Sequence, residues 1–278
     1  MRTTIADLLR AGPGIDLPAI DTSATPGFQG DKAAGQAKLA EGAAELATLQ
    51  EQLFAASRFG DTRSVLLVLQ AMDTAGKGGI VKHVMGSVDP QCISFASFKA
   101  PTDEEKAHDF LWRIRPRVPG PGMIGVFDRS HYEDVLIHRV RGFSTPEAIE
   151  ERYALITAFE DALRAAGTTI VKVMLHISKD EQKARLGERL ERPDKHWKYN
   201  PGDVDERQHW DAYMDAYRVA IERTSTDEAP WYVVPADRKW YARLAVQQLL
   251  LDALRGIDPR WPAADYDVEA EKKRLAAT

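Results

Sequence analysis

Three stretches of the chain carry residue types that phosphate chemistry uses. The first is Ala71-Met72-Asp73-Thr74-Ala75-Gly76-Lys77-Gly78-Gly79, entered from the aliphatic run Val65-Leu66-Leu67-Val68-Leu69. Small residues let backbone N–H groups close on phosphate oxygens, the lysine supplies a point charge, and the following helix aims its positive end at the anion. A Walker A loop has glycine where this chain has Ala71, and Ser or Thr where it has Gly78. The hydroxyl that would bind magnesium is therefore missing, and Asp73 is the nearest residue to replace it. Taken alone, a Gly-Lys pair in a loop also reads as an ordinary helix start.

The second stretch, Gly122-Met123-Ile124-Gly125-Val126-Phe127-Asp128-Arg129-Ser130, is an apolar run ending in an acid and an arginine. Ligands of open α/β sheets sit at the carboxyl ends of strands, which is where Asp128 falls. Asp73 and Asp128, each at a strand exit beside a phosphate-binding loop, form a magnesium site rather than a general acid/base pair, because Mg2+ takes one or two carboxylates plus water and substrate phosphates. Singly, Asp73 reads as a turn residue and Asp128 as a helix N-cap; both together beside Gly76-Lys77 favour the metal.

The third stretch runs through Arg185, Arg189, Arg192, Lys195 and Lys198 and ends in Arg192-Pro193-Asp194-Lys195-His196-Trp197-Lys198-Tyr199-Asn200-Pro201-Gly202. Acids four residues from these cations allow a solvated helix face. Cations and aromatics broken by two prolines also suit a lid over an anionic site. His108, His131, His138, His176 and His209 show no zinc-ligand spacing, and no Ser-His-Asp arrangement or nucleophile elbow is present.

These stretches need a scaffold. Residues 1–35 mix Gly, Pro, Asp and Thr without a sustained period and read as an arm laid over the remainder, 36–278, which is expected to be one domain with its lid at about 180–215. An amphipathic helix is expected over Lys32 to Phe59, with Leu39, Ala43, Leu46, Leu49, Leu53 and Phe54 on one face. Further helices are expected from Gly79 to Gly86, from the Thr102 capping box to Arg113, from Ser144-Thr145-Pro146 to Gly167, after Ser178, and from Arg238 to Arg255 before Gly256. Trp210, Tyr213, Tyr217 and Ile221 mark a core-facing stripe. Besides the two strands above, Ile93–Phe98, Thr168–Ile177 and Trp231–Pro235 read as strands. Strands alternating with helices of this length imply an α/β fold, three layers with a parallel sheet between helices.

Composition narrows the function further. A formal charge of -5 argues against a general nucleic-acid binder, so any polyanion must meet a local basic patch. The single cysteine, Cys92, excludes an internal disulfide and a cysteine metal cage. No apolar run approaches the ~20 residues of a membrane span, and no signal-peptide core is seen at the N-terminus. The expected setting is the cytoplasm, without a membrane or nucleic-acid partner.

The loop Ala71–Gly79, the run Phe127-Asp128-Arg129-Ser130-His131-Tyr132 and the lid sequence Glu188-Arg189-Leu190 together resemble the family-2 polyphosphate kinases over about residues 35 to 255. The resemblance implies a P-loop kinase core like that of thymidylate kinase, a helical lid, and Mg2+-dependent phosphoryl transfer between inorganic polyphosphate and purine nucleotides. It implies that Asp73 and Asp128 bind the metal, with Mn2+ as a substitute, and that Lys77, Arg129 and Arg189 serve catalysis. Ala75, Gly76, Gly78, Gly79, Arg185 and Arg192 are expected on the polyphosphate. Glu133 resembles the subgroup that phosphorylates both nucleoside mono- and diphosphates; with Lys99 and Arg113 it is expected at the nucleotide. Apolar helices at both ends allow a homo-oligomer, dimer or tetramer. The competing readings are an ATP-dependent nucleoside monophosphate kinase and a non-catalytic nucleotide-binding protein.

Overall fold

A computed structural model describes residues 3–278. The chain runs α1 (Ile5–Leu9), β1 (Arg10–Ala11), α2 (Lys32–Ser57), β2 (Ser64–Ala71), α3 (Lys77–His83), β3 (Ile93–Ser97), α4 (Asp103–Lys106), β4 (Ile124–Asp128), α5 (Ile137–Val140), α6 (Pro146–Ala165), β5 (Thr168–His176), α7 (Lys179–Glu191), α8 (Gly202–Arg207), α9 (Trp210–Thr224), β6 (Trp231–Pro235), α10 (Lys239–Ile257) and α11 (Val268–Ala276), with short 3-10 turns between. The sheet order is β1-β6-β5-β2-β4-β3, and every pairing is parallel except β1 with β6.

The unbroken apolar run of β2 suits the sheet centre, where both faces are covered. All of β2 is buried, and Val65 to Leu69 have no exposed surface. Helices α2, α3 and α10 pack on one face, and α6, backed by α9, on the other, giving the three expected layers. In α2, Leu46 and Leu53 face the core, and Asp31 caps the helix by accepting from Ala34 N at 2.9 Å. Thr145 and Pro146 start α6 as expected, and Gly167 at φ +100 turns the chain into β5, a conformation that favours glycine. Among the described residues, no helix is long and apolar enough to cross a membrane.

Several elements differ from expectation. The helix expected from Thr102 to Arg113 stops at Lys106, because the Asp109 carboxylate takes the Leu111 amide at 3.1 Å and offers the backbone a competing turn. Helix α3 begins at Lys77 and ends at His83 instead of spanning Gly79 to Gly86. Helix α10 passes through Gly256, and Asp258 in the left-handed region ends it. The N-terminal arm is also more ordered than its composition implies: Thr4 and Asp7 form a capping box on α1, and Arg10 and Ala11 pair with Tyr232 and Trp231 as an antiparallel edge strand. A two-residue strand is too short to leave a period-two signal. Helix α11 was not anticipated; it buries no side chain.

Candidate active site

The strand register brings the first two chemical stretches together. Leu69 of β2 pairs with Asp128 of β4, and the Arg129 amide continues the ladder to Leu69 O at 3.0 Å. Asp73 and Asp128 therefore leave neighbouring strands on the same edge of the sheet. Arg129 Nη2 donates to Asp73 Oδ1 at 2.8 Å, and Lys77 Nζ lies 3.9 Å from Asp128 Oδ1. Arg129 holds φ +63, an uncommon conformation for a side-chain-bearing residue, at the point where the chain turns its guanidinium onto Asp73.

The loop itself has the form of an anion cradle. Gly76 at φ +126 and Thr74 at φ +67 curl the backbone ahead of α3, and the Gly79 and Ile80 amides bond Gly76 O. The amides of Gly76, Lys77 and Gly78 donate to no acceptor among the described residues, as expected at a helix start. A cavity of about 820 Å³ opens over the loop. Of the residues named from the sequence, Ala75, Gly76, Gly78, Gly79, Asp73, Lys77, Asp128, Arg129, Arg185 and Arg189 line it. Its other cations are Lys82 of α3 itself and, from distant elements, Lys99, Lys195, Lys198, Lys239 and Arg243.

A second cavity, about 210 Å³, shares Asp73, Arg129 and Asn200 with the first. Its remaining lining includes Glu133, Asp203, Glu206, Tyr213, Tyr217, Leu136 and Ile137. Burial pushes Glu133 above the ordinary glutamate range, against the pull of Arg129 and Lys77. With its amide turned to suit both neighbours, Gln70 donates to Glu133 Oε1 at 2.9 Å. Burial, with help from Asp73, raises Asp203 to about 6. Burial opposes the Arg129 charge, yet Glu133 and Asp73 outweigh it and hold that guanidinium protonated more firmly than usual. Tyr213 OH donates to Glu206 Oε2 at 2.6 Å.

Four expectations need correction. Arg185 lines the first cavity but has no donor left for a phosphate. Nε goes to Glu181 Oε1 at 2.7 Å, Nη1 to Thr74 O and Ala75 O at 3.1 and 2.8 Å, and Nη2 to Ala236 O and Asp237 O at 2.7 and 2.9 Å. Arg192 is exposed outside the cavity, taken by Glu188 and Asp194. The set expected at a nucleotide is split: Lys99 belongs to the first cavity and Glu133 to the second. Arg113 lines neither; it donates to Lys99 O at 2.7 Å and sits near Glu105 and Asp134. The fourth concerns the α9 stripe, where Trp210, Tyr213, Tyr217 and Ile221 are buried as expected, yet Tyr213 and Tyr217 also line the second cavity.

Arg189 bridges the lid, donating to Lys198 O at 2.9 Å and Asp203 Oδ2 at 3.3 Å. Lys239 and Arg243 were overlooked, although their four-residue spacing at the start of α10 puts both on one helix face. Also overlooked was a buried network around Tyr132, three residues past Arg129: Lys172 Nζ meets Glu160 Oε2 at 2.6 Å and Thr224 O at 2.7 Å, while Tyr132 OH lies 2.8 Å from Glu160 Oε1. A lysine inside the apolar strand Ile170–Leu175 was its only signal.

The donor set suits magnesium. Asp73 and Asp128 offer two carboxylates to one cavity, and no group of three or more His, Cys, Asp or Glu forms a cage among the described residues. Further ligands would come from water and phosphate oxygens, as Mg2+ prefers.

Comparison with known proteins agrees with this geometry. The family model described as Polyphosphate kinase 2 matches residues 29–261. The AMP/ADP-polyphosphate phosphotransferase of Meiothermus ruber is 44% identical over 247 residues, 89% of this chain and 91% of that protein. The ADP-polyphosphate phosphotransferase of Rhodopseudomonas palustris is 44% identical over 229 residues, 78% of each chain. A crystal structure of polyphosphate kinase 2 from Arthrobacter aurescens superposes with a TM-score of 0.97 at 61% identity, covering 99% of this chain and 97% of that one. The match extends through the loop, both strand exits and the lid, and the chain belongs to the polyphosphate kinase 2 family.

Proposed function

We propose that this enzyme transfers phosphoryl groups, reversibly, between inorganic polyphosphate in the basic cavity and AMP or ADP (GDP being a further acceptor) in the acidic and aromatic one. Polyphosphate-dependent phosphorylation of nucleotides is the reaction of its family, and the named activities of the Meiothermus and Rhodopseudomonas relatives support these acceptors. The observation that carries the reading is the shared wall: Asp73 and Arg129 line both cavities, so a group crossing between them passes those two side chains.

Phosphoryl transfer asks for positioning and charge neutralisation more than for covalent chemistry. Lys77 and the free loop amides hold the terminal phosphate of the polymer. The cations of the lid and α10 hold the rest of the chain, which a protein of net charge -5 would otherwise repel. Arg129 offsets charge on the group in transit, and Arg189 ties the lid down over the donor. Glu133, Asp203, Glu206 and the tyrosine hydroxyls accept from or donate to ribose and base. Family kinases generally need a divalent metal; here Asp73 and Asp128 would hold it, Mg2+ with Mn2+ as a substitute, and it would supply charge neutralisation between donor and acceptor phosphates. Residues 36–278 act as one domain with the lid at about 180–215, in the cytoplasm, as a dimer or tetramer.

The test is an acceptor and donor matrix. AMP, ADP and GDP are each incubated with polyphosphate or ATP as sole donor, with Mg2+ or with chelator. Product from polyphosphate and Mg2+ is expected; product from ATP alone would assign an ordinary nucleotide kinase instead.

A further inference from the structure

The lid helix is tied at its start to the N-terminal arm and along its side to the phosphate loop. Asp237, just past β6, joins the two. Its Oδ2 accepts from Thr22 Oγ1 of the arm at 2.7 Å, its Oδ1 accepts from the amide of Ser178, the N-cap of α7, at 2.8 Å, and its own amide donates to Thr22 O at 3.1 Å. Two turns along α7, Arg185 spans from the carbonyls of Ala236 and Asp237 to those of Thr74 and Ala75. Gln182 adds a bond from Nε2 to Asp73 O at 3.1 Å. Three consecutive loop carbonyls are thus drawn toward α7.

In a planar trans peptide the N–H points opposite to the C=O. Holding the carbonyls of residues 73 to 75 on the α7 side turns the amides of residues 74 to 76 the other way. Arg185 is 5% exposed, so releasing any of its five bonds leaves a buried donor without a partner. The grip is therefore all or none in character, and it depends on where α7 starts.

We propose that Asp237 and Thr22 are positioning residues for phosphoryl transfer: the arm, through Asp237, sets the lid helix so that Arg185 and Gln182 hold the phosphate loop in its receiving shape before substrate arrives. This rests on the reading above that the loop receives the donor phosphate. It gives residues 17–22 a task beyond packing, and Leu17 O, which takes His176 Nε2 at 3.0 Å at the end of β5, is the arm's other anchor.

The test compares wild type with Thr22→Val, Thr22→Ser and Asp237→Ala as full-length chains. Hydrogen exchange of the Ala75, Gly79 and Ile80 amides, all bonded within the loop, is followed without substrate, alongside steady-state kinetics and thermal melting. Thr22→Val should speed loop exchange about fivefold, the effect of one lost hydrogen bond, and lower kcat by a similar factor with the nucleotide KM unchanged. Thr22→Ser should restore both, and Asp237→Ala should exceed Thr22→Val. Loop exchange that stays at the wild-type rate in Thr22→Val overturns the proposal, as does faster exchange with full kcat; these hold even where Asp237→Ala does not fold. Because exchange is read without substrate, failure of the polyphosphate reading would appear separately, as missing wild-type turnover with the exchange difference intact.

Discussion

The two cavities that meet at Asp73 and Arg129 differ in charge far more than the chain as a whole suggests. Ten lysines and arginines line the larger one, against Asp73, Asp128 and Glu188; the smaller has Asp73, Glu133, Asp203 and Glu206 against Arg129 alone. Net charge is therefore a poor guide to what such a protein binds. A cleft that gathers cations from α3, the Lys99 loop, the lid and α10 creates a local positive field that focuses a polyanion, whatever the sign of the remaining surface. Across the shared wall, buried or half-buried carboxylates and buried phenols offer hydrogen bonds suited to sugar and base, with Arg129 set where the two fields meet.

The comparison can be broken most severely at its boundary. Lys77→Ala or Asp128→Asn should lower kcat by at least ~10²-fold with either acceptor, since each removes charge stabilisation at the transferring group. The melting temperature should hardly move, and near-native turnover in either variant would sink the assignment. Arg129→Lys keeps the charge but loses the planar fork on Asp73; a kcat loss on the order of tenfold is expected, shared by both substrates because Arg129 lines both cavities.

Milder variants should separate the sides. Lys239→Ala with Arg243→Ala should raise the polyphosphate KM about fivefold and leave the nucleotide KM alone, with the gap to wild type closing as salt rises. Tyr213→Phe, which removes the bond to Glu206, should do the converse, raising the nucleotide KM about threefold at constant polyphosphate KM. A shift of the other substrate's KM in either variant would mean that the cavities are not divided as proposed.

The smallest effect concerns pH. Burial, with help from Asp73, pushes the Asp203 carboxyl up to about 6 from the 3.8 usual for aspartate, so the folded state holds this proton more tightly than the unfolded one. Its contribution to stability is full below about 3.8 and is lost as pH rises through about 6. Thermal melts of wild type and Asp203→Asn at pH 5 and 7.5 should therefore differ in slope, the variant losing a few degrees less across that window. Equal slopes would place Asp203 in an ordinary solvated setting.

Much of this was readable before folding was considered. The apolar run of β2 specifies a buried central strand because a sheet covered on both faces needs no alternation, and the Gly-Lys loop after it specifies an anion cradle because only small residues leave backbone amides open. Asp73, Lys77 and Asp128 were singled out by type and position relative to strand ends, and Arg129 through the family resemblance. The helix expected through Arg113 failed where a single side chain, Asp109, outcompeted the local pattern. The edge strand Arg10–Ala11 escaped because two residues carry no period.

What the sequence by itself determined is thus local: which segments are strands and helices, and which loops carry chemistry. Only the tertiary structure decided how each cation is spent. Arg185 and Arg192 look alike in the chain, seven residues apart in a run of charge, yet one is buried and locked on five acceptors while the other is paired with Glu188 and Asp194 on the surface, outside the cavity. Lys239 and Arg243, far along the chain, face the phosphate loop instead. A guanidinium's availability depends on which acceptors surround it in space, and those come from segments that sequence separation does not relate.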